Sequence, residues 1–402
     1  MRSLRRLAWL GTLLLCACTD ITSERVMSPF EGVGFAPGPG GYQLVIDEIR
    51  DLGTLPQHTW SEAHDINQNG YIVGTSQYNA KTKIGGRAVR WPGPLAAPSS
   101  LGALGPWSEG WDLNDQSVPV IVGNTGTNGS DITRGFRWSP ATGMVDLGLV
   151  GLTAIGSVHV TSSFTARAVS WPGHVVGTAD SQPDLGVLGA YLLEPIGAYR
   201  AVPATCLAGY LFGNANDVND SGTHVGQVKC AMTLHEQAFV ATLGSFTNLG
   251  DLADGASRSQ ALGINNAGTV VGWAAAFALP GTGMLRDHAF RWTPATGMKD
   301  MHPAGDTLSE SAAEDVSGKD IVVGYRWPAG KASGYKAFVH GQGLGMTSLP
   351  GLCGDKGPSK AFAVNDNGWI VGGSTACSGQ YHATAWKVRV VSTPLPWKSR
   401  TP

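Results

Sequence analysis

One short phrase recurs seven times along this chain, and it constrains the fold more than any other feature. Well-preserved copies read DINQNGYIVG (65–74), DVNDSGTHVG (217–226) and AVNDNGWIVG (363–372). The aliphatic residue before the Asn serves as an anchor, and the anchors are Ile66, Leu113, Val169, Val218, Ile264, Val316 and Val364. They lie 46 to 56 residues apart, so units of about fifty residues fill the chain from 42 to 392. A repeat of this period overrides the expectation of two or three separate domains that chain length alone gives.

Three other positions are alike in all seven units. The residue three before the anchor is Ala or Gly, and the residue after it is Asn or Ser. A Gly ends the next apolar run, eight residues past the anchor in six units and ten in the second. Asn or Ser at the head of a turn bonds the backbone two residues on, so the phrase predicts a β-hairpin. Small residues in both strands predict that their backbones approach closely.

Two more strands are predicted after each hairpin. The third strand is predicted at RAVRW (87–91), RGFRW (134–138), QAFVA (237–241), HAFRW (288–292), KAFVH (336–340) and HATAW (382–386), with RAVP (200–203) in unit three. The fourth is marked by DLGTL (51–55), SLGAL (100–104), DLGLV (146–150), NLGDL (248–252) and SLPGL (348–352). Four strands in each of seven units predict an all-β fold, a seven-bladed β-propeller of four-stranded antiparallel blades.

The two ends of the repeat region predict a closed ring. A strand at 42–55 precedes the first hairpin, and the last unit stops after its third strand. We therefore expect the N-terminal strand to complete the last blade, which removes the exposed edges of an open sheet. A parallel solenoid is the alternative, and it needs no exchange between the ends. Residues 393–402 are expected to form a C-terminal tail.

Several phrases make the chain resemble a known family. HAF at 288–290, with INNAGTVVG (264–272) and NLGDL (248–252), is similar to the HAF-repeat family of bacterial extracellular proteins. The resemblance covers about 350 residues and is weakest in units three and six. It implies a secreted or surface location, and it implies no defined activity.

The N-terminus has the pattern of a lipoprotein signal peptide. A basic start precedes the apolar stretch LAWLGTLLLCA (7–17), which is too short to span a bilayer. Because Ala precedes Cys18, the sequence predicts a signal over 1–18 and lipidation of Cys18; Cys16, preceded by Leu, fits less well. Residues 19–41 are predicted to be a flexible tether. We expect a lipoprotein of the cell envelope, at the outer membrane or the cell surface, and a secreted protein is the alternative.

Four cysteines remain after the signal peptide, and they form two pairs that are each separated by 24 positions. Both pairs flank their anchors in nearly the same frame. Among the three pairings that four thiols allow, this frame favours disulfides Cys206–Cys230 and Cys353–Cys377. Disulfides persist outside the cytosol, in agreement with the signal peptide.

Motifs for chemistry are few. The phrase DINQNG gives a calcium candidate at Asp65, Asn67 and Asn69, but the acid required at the twelfth position of an EF-hand loop is Ser76. Asx-capped turns are therefore favoured, and no cofactor or metal is predicted. Trp91, Trp138, Trp292 and Trp386 share one repeat position, where packing between blades is favoured over sugar stacking.

The sequence predicts a binding or interaction module rather than an enzyme. It has no G-x-S-x-G, H-E-x-x-H or Gly-rich phosphate loop. A carbohydrate-acting or other hydrolytic enzyme and a self-associating structural surface component are the alternatives. A net charge of −2 argues against nucleic acid as a partner, so an extracellular protein or polysaccharide is expected.

Two regions are candidate contact sites. The residue that opens the predicted third strand can be cationic in six of the seven units, which gives a candidate anion-binding ring of Arg87, Arg134, Arg200, His288, Lys336 and His382. The alternative is that these long side chains cover strand ends and keep their charged heads solvated. The segment 180–198 is interpreted as an insert and is a second candidate surface.

Overall fold

The structure is a computed structural model that describes residues 33–34, 41–78, 85–127, 130–151, 161–179, 189–195, 199–201, 210–230, 235–253, 258–277, 285–306, 309–328, 334–341 and 343–392. Every regular element in these ranges is a β-strand, and the strands form seven antiparallel sheets. These sheets are the blades of a seven-bladed β-propeller, as the repeat predicts. Within the same ranges, no helix has the length and apolar character needed to cross a membrane.

The blades are numbered in chain order. Blade 1 comprises Trp60–Ile66, Ile72–Gln77, Arg87–Trp91 and Ser99–Ser100. Blade 2 comprises Ser108–Leu113, Ile121–Thr127, Ser130–Ser139 and Gly143–Asp146. Blade 3 comprises Thr161–Val169, Val175–Ala179, Gly189–Leu193 and Tyr199–Ala201, with Leu149–Gly151 paired beside its first strand. Blade 4 comprises Tyr210–Val218, His224–Cys230, Glu236–Thr242 and Ser245–Gly250.

The last three blades follow the same order. Blade 5 comprises Ser259–Ile264, Val270–Phe277, Leu285–Thr293 and Gly297–Asp300. Blade 6 comprises Glu310–Val316, Val322–Trp327, Lys336–Gly341 and Gly345–Ser348. Blade 7 takes three strands from the C-terminal end of the chain and its fourth from the N-terminal end, and these are Ser359–Val364, Trp369–Thr375, Tyr381–Ser392 and Tyr42–Gly53.

The N-terminal strand closes the ring, as predicted. It pairs with Tyr381–Ser392 from Tyr42 opposite Ser392 to Gly53 opposite Ala383. The short strand Val33–Gly34 pairs with its outer edge. The solenoid alternative is thereby excluded, because the first and last parts of the repeat region share one sheet.

The apolar core is divided into seven main clusters, one at each junction between neighbouring blades. The cluster between blades 1 and 2, for example, contains Val73 and Ala88 from one blade and Leu113 and Phe136 from the next. The predicted packing role of the repeated Trp residues is confirmed where they are buried: Trp91 and Trp386 are fully buried in these junctions. Burial between blades, rather than within a blade, therefore holds the ring together.

The repeated Gly is required by a close approach of two backbones. In every blade, a Cβ on this Gly would overlap the carbonyl oxygen of the residue four before the anchor, such as Glu62 O opposite Gly74 or Gln260 O opposite Gly272. This carbonyl comes close because the first strand carries a β-bulge at the same level. The prediction that small residues mark a close approach is confirmed.

The repeated Asn makes hydrogen bonds both within its turn and to the next blade. In blade 5 the Oδ1 of Asn265 accepts the backbone N–H groups of Ala267 and Thr269, each at 3.0 Å. Its Nδ2 donates to the Ser317 carbonyl of blade 6 at 2.9 Å. Equivalent bonds to the next blade are made by Asn67, Asn219 and Asn365, and the last of these crosses the ring closure. The Asx-capped turn is confirmed, and the same side chain also ties neighbouring blades together.

The predicted third strand of blade 3 is wrong. The third strand of blade 3 is Gly189–Leu193, and Arg200 lies on the fourth strand. Part of 180–198 is therefore a regular strand rather than an insert; it was missed because it lacks the cationic opening residue used to find third strands. The DLG-like phrases do mark the fourth strands, at their C-terminal ends; Gly143–Asp146, for example, ends at the first residue of DLGLV.

One of the two predicted disulfides is present. Cys353 in the loop before blade 7 is bonded to Cys377 in the loop after its second strand. Cys206 lies outside the described residues, so its disulfide with Cys230 stays a prediction. Cys16, Cys18 and residues 180–188 and 196–198 also lie outside the described part of the chain.

Candidate functional site: the axial cavity

A β-bulge in the first strand of each blade aims one side chain at the propeller axis. The register of the first hairpin shifts in all seven blades between the small residue and the residue before the anchor. Bulges of this kind redirect a side chain and are common beside functional sites. The seven bulged residues are His64, Trp111, Arg167, Asn216, Leu262, Glu314 and Phe362.

These seven residues all line one cavity of about 410 Å³, to which every blade contributes. Its volume lies within the roughly 300–1,000 Å³ of small-molecule sites. The bulged position is far more variable between blades than the positions on either side of it. The flanking positions are restricted to Ala or Gly on one side and to Asp, Ala or Gly on the other, whereas the bulged position holds a different residue in each blade.

Three of the bulged side chains are stacked along one wall of the cavity. The His64 ring lies parallel to the Trp111 ring, with centroids 4.5 Å apart. The guanidinium of Arg167, on blade 3, lies 4.3 Å from the centre of a Trp111 ring. His64 Nδ1 lies 2.6 Å from the Gly110 carbonyl, which holds the imidazole in place. The indole Nε1 of Trp111 is buried and has no hydrogen-bond partner among the described residues. This wall is therefore a stack of two aromatic rings and a guanidinium.

Four aspartates at the position before the anchor also line the cavity: Asp65, Asp112, Asp217 and Asp315. Each accepts the backbone N–H of the next blade's anchor, as Asp217 does from Ile264 at 2.7 Å. These bonds account for the Asp in the repeat, which the sequence alone did not explain.

Burial and mutual repulsion raise the pKa of three of these aspartates, Asp112, Asp217 and Asp315. Burial, and then repulsion from Asp65, raises the pKa of Asp315 to about 8. The same causes raise the pKa of Asp217 to about 6 and that of Asp112 well above its usual range, although backbone N–H groups partly oppose the shift. The cavity is therefore acidic, and its charge depends on pH near neutrality.

Glu314 is the bulged residue with the most perturbed environment. Burial raises the pKa of its carboxyl to about 7, in spite of the opposing charge of Lys360 and a hydrogen bond with Tyr325. Burial also lowers the pKa of Arg167, the only Lys or Arg in the cavity lining. Five carboxyl groups against one guanidinium make the cavity unsuited to an anion.

The candidate anion-binding ring is only partly brought together. Arg200 is removed from it by its place on a fourth strand. Arg134 is paired with Asp146, His288 with Asp300 and His382 with Asp51, each at 2.9 Å, across to the fourth strand of the same blade. Arg87 and Lys336 donate to backbone carbonyls instead, to Gly86 and Pro106 and to Asp355 and Gly357. Anion binding by this ring stays a prediction, and these partners compete with it.

The calcium candidate is engaged in hydrogen bonds within the protein. Asn67 Oδ1 accepts two backbone N–H groups of its own turn, and Asp65 accepts the Leu113 N–H. Asn69 donates its amide to the Asp115 carbonyl. In the described ranges, no group of three or more His, Cys, Asp or Glu side chains is placed to hold a metal ion.

The fold and the cavity define the class of this protein: a closed seven-bladed propeller with an axial small-molecule-sized cavity. It is similar to the β-propeller domain of the Trilobed protease from Pyrococcus furiosus, with a TM-score of 0.53 and 7% identity over 87% of this chain and 100% of that chain. That domain has an open velcro topology, whereas here the two ends of the repeat region close the ring by pairing.

The chain is also similar to puromycin hydrolase, with a TM-score of 0.53 and 13% identity over 87% of this chain and 55% of that one. At such identities the likeness shows the fold alone. No protein-family model matches the sequence, and no curated protein matches it. The resemblance to HAF-repeat proteins stays a prediction.

Proposed function

We propose that this protein is a binding module of the cell envelope that holds a small polar ligand, neutral or cationic, in its axial cavity. One observation carries the proposal: the repeat is kept at the positions that build the ring, whereas the bulged position that faces the cavity holds a different residue in every blade. A propeller without a ligand needs no such variation, because the bulged position has the same backbone surroundings in every blade. Function is added to a fold at sites of this kind.

The lining suits recognition better than nucleophilic catalysis. Among the described residues that line the cavity, none is Ser, Thr, Cys or Lys, so these residues offer no hydroxyl, thiol or amine nucleophile. They offer instead the unpaired indole N–H of Trp111, the Asn216 and Gln260 amides and a set of carboxyl groups. A few fixed polar groups in a partly apolar lining are typical of ligand sites.

Acid–base hydrolysis is the second candidate function. The pKa of Glu314, raised to about 7, suits a general acid at neutral pH. A hydrolase of this kind would turn over glycosides, and Glu314→Gln would abolish turnover while leaving substrate binding nearly intact.

Ligand binding is tested by thermal unfolding of the wild-type protein with three probe sets: neutral sugars, polyamines and dicarboxylates. We expect stabilisation by a neutral or cationic probe, and loss of that stabilisation in Trp111→Ala and in Glu314→Gln. Trp171→Ala is the matched control, because Trp171 is 54% exposed in the hairpin turn of blade 3. No stabilisation by any set, or stabilisation by dicarboxylates alone, would refute the proposal.

Anchoring at the envelope is supported by the LCAC sequence and is tested separately. Cys18→Ser is expected to move the protein from the detergent phase to the aqueous phase or to leave its signal uncleaved. Unchanged partitioning together with an unchanged N-terminal mass would exclude lipidation at Cys18.

A further inference from the structure

A second pocket, of about 180 Å³, lies at the junction of blades 5 and 6 and is lined mainly by aromatic side chains. Tyr335 is in edge contact with Tyr325 at 5.0 Å and with Trp327 at 4.6 Å between ring centroids. Trp273 completes the aromatic lining, and Trp327 is 47% exposed. We call these four residues the aromatic pocket. Its volume is below the roughly 300–1,000 Å³ of sites for drug-sized ligands, so it suits a single small ring.

The aromatic pocket is a local departure from the repeat. The residue after the repeated Gly is Trp273 in blade 5 and Tyr325 in blade 6, whereas the other five blades have Thr75, Asn124, Thr178, Gln227 and Gly373. The third residue after that Gly is Trp327 in blade 6 and is not aromatic in any other blade. The other blades form the same strand without these rings, so the fold does not require them.

Charged groups in and around the pocket are already paired with each other. Asp287 is bonded to Arg258 at 2.9 Å, and Glu310 lies 3.8 Å from Arg286. The ammonium group of Lys360 lies over the rings of Tyr325 and Tyr335, at 4.4 and 4.3 Å from their centres. The chain itself thus supplies the cations that these carboxylates and ring faces attract. A cationic ligand would have to displace them.

Because these charges are already paired, the pocket suits a neutral ligand that contains a ring. The exposed Trp327 face suits the C–H face of a sugar, and carboxylate–guanidinium pairs at the rim offer both acceptors and donors to its hydroxyl groups. A wholly apolar ligand would leave Asp287 and Glu310 without new hydrogen bonds. We propose that the aromatic pocket binds one ring of a neutral carbohydrate, with Trp327 as the stacking surface.

This site is separate from the axial cavity, although one hydrogen bond links their walls. Tyr325 of the pocket is bonded to Glu314 of the cavity. The two proposals fail independently, because Trp327 does not line the cavity and Trp111 does not line the pocket. Trp327→Ala and Trp111→Ala therefore distinguish them.

The test is isothermal titration of the wild-type protein with neutral trisaccharides of glucose, mannose and N-acetylglucosamine. A pocket that holds one ring is expected to give a Kd on the order of 1 mM for at least one of them. Trp327→Ala should weaken that binding about tenfold or more, the usual loss for a stacking anchor, and Trp327→Phe should retain most of it.

Two further measurements keep the result specific. Trp171→Ala removes an indole of similar exposure from a hairpin turn in blade 3 and should bind like wild type. Titration of Trp111→Ala assigns the binding to one site: a loss in Trp327→Ala that is absent from Trp111→Ala belongs to this pocket, whereas a loss in Trp111→Ala alone belongs to the axial cavity and overturns the proposal. Tetramethylammonium is the competing probe. The proposal is overturned if no trisaccharide binds, if Trp327→Ala binds unchanged, or if tetramethylammonium binds in place of the sugars.

Discussion

The hydrogen bonds of the repeated Asn give a quantitative prediction at Asn265. Its Oδ1 accepts two N–H groups of its own turn and its Nδ2 donates to blade 6. The chain contains a natural comparison at Ser317, which stands at the same position in blade 6. Its hydroxyl lies 3.2 and 3.3 Å from the N–H groups of Lys319 and Ile321, so it keeps the turn bonds. A Ser at 265 should therefore lose only the bond to the next blade.

The expected sizes follow from the number and burial of the lost bonds. Asn265→Ser removes one neutral hydrogen bond, which costs about 1 kcal/mol of unfolding free energy. Asn265→Ala removes three and leaves the N–H of Thr269, a residue 5% exposed, without a partner. An unpaired buried donor costs about 1–3 kcal/mol in itself. The Ala variant should therefore lose about 2–4 kcal/mol.

Native-state hydrogen exchange of the Thr269 amide measures the loss of local stability, and denaturant unfolding measures the loss for the whole protein. When the equilibrium of local opening determines the exchange rate, each loss of about 1.4 kcal/mol in the free energy of opening speeds exchange tenfold. We expect Asn265→Ala to speed Thr269 exchange by at least tenfold more than Asn265→Ser does. Equal effects of the two variants would show that the turn bonds contribute nothing, and the explanation of the repeated Asn would be wrong.

Two more predictions concern ring closure and pH. Deleting 42–53 removes Leu44, Ile46 and Leu52, each at most 4% exposed; at about 1.5–3 kcal/mol each this approaches the whole stability of a domain, about 5–15 kcal/mol. Loss of cooperative unfolding is expected, and deletion of 19–32 is the control that should change nothing. Because the pKa of Asp315 is raised to about 8, the folded state binds more protons than the unfolded one between about pH 4 and 8. The free energy of unfolding should therefore fall as pH rises through that window. Asp315→Ala should reduce this dependence on pH, and Ala is the residue found at this position in blades 3 and 7. An unchanged dependence would contradict the raised pKa of Asp315.

Much of the fold was predictable from the sequence because the chain repeats itself. The number of blades, the hairpins and the closing strand follow from local patterns, namely Asn or Ser at a turn, small residues where backbones approach and alternating apolar positions. The seven copies can also be compared with one another, which shows the positions that every blade needs. The strand prediction fails in blade 3, in the segment where the repeat pattern is weakest. Its third strand, Gly189–Leu193, has no cationic opening residue.

The sites were not predictable in the same way. Asp217 and Asn265 were identified as turn residues, but their bonds to blades 5 and 6 join residues that lie 46 to 52 positions apart in the chain. A bulge cannot be read from a run such as EAHDI, so the sequence shows that the position of His64 varies between units but not that it faces the axis.

The blades could be predicted and the sites could not because they depend on interactions over different distances along the chain. Turn chemistry and strand pattern depend on a few neighbouring residues, so the sequence by itself determines the blade. Which side chains meet depends on how one blade is rotated against the next and on where the bulge shifts the register. Only the assembled ring brings the seven bulged residues to one axis and the four rings of the aromatic pocket to one junction.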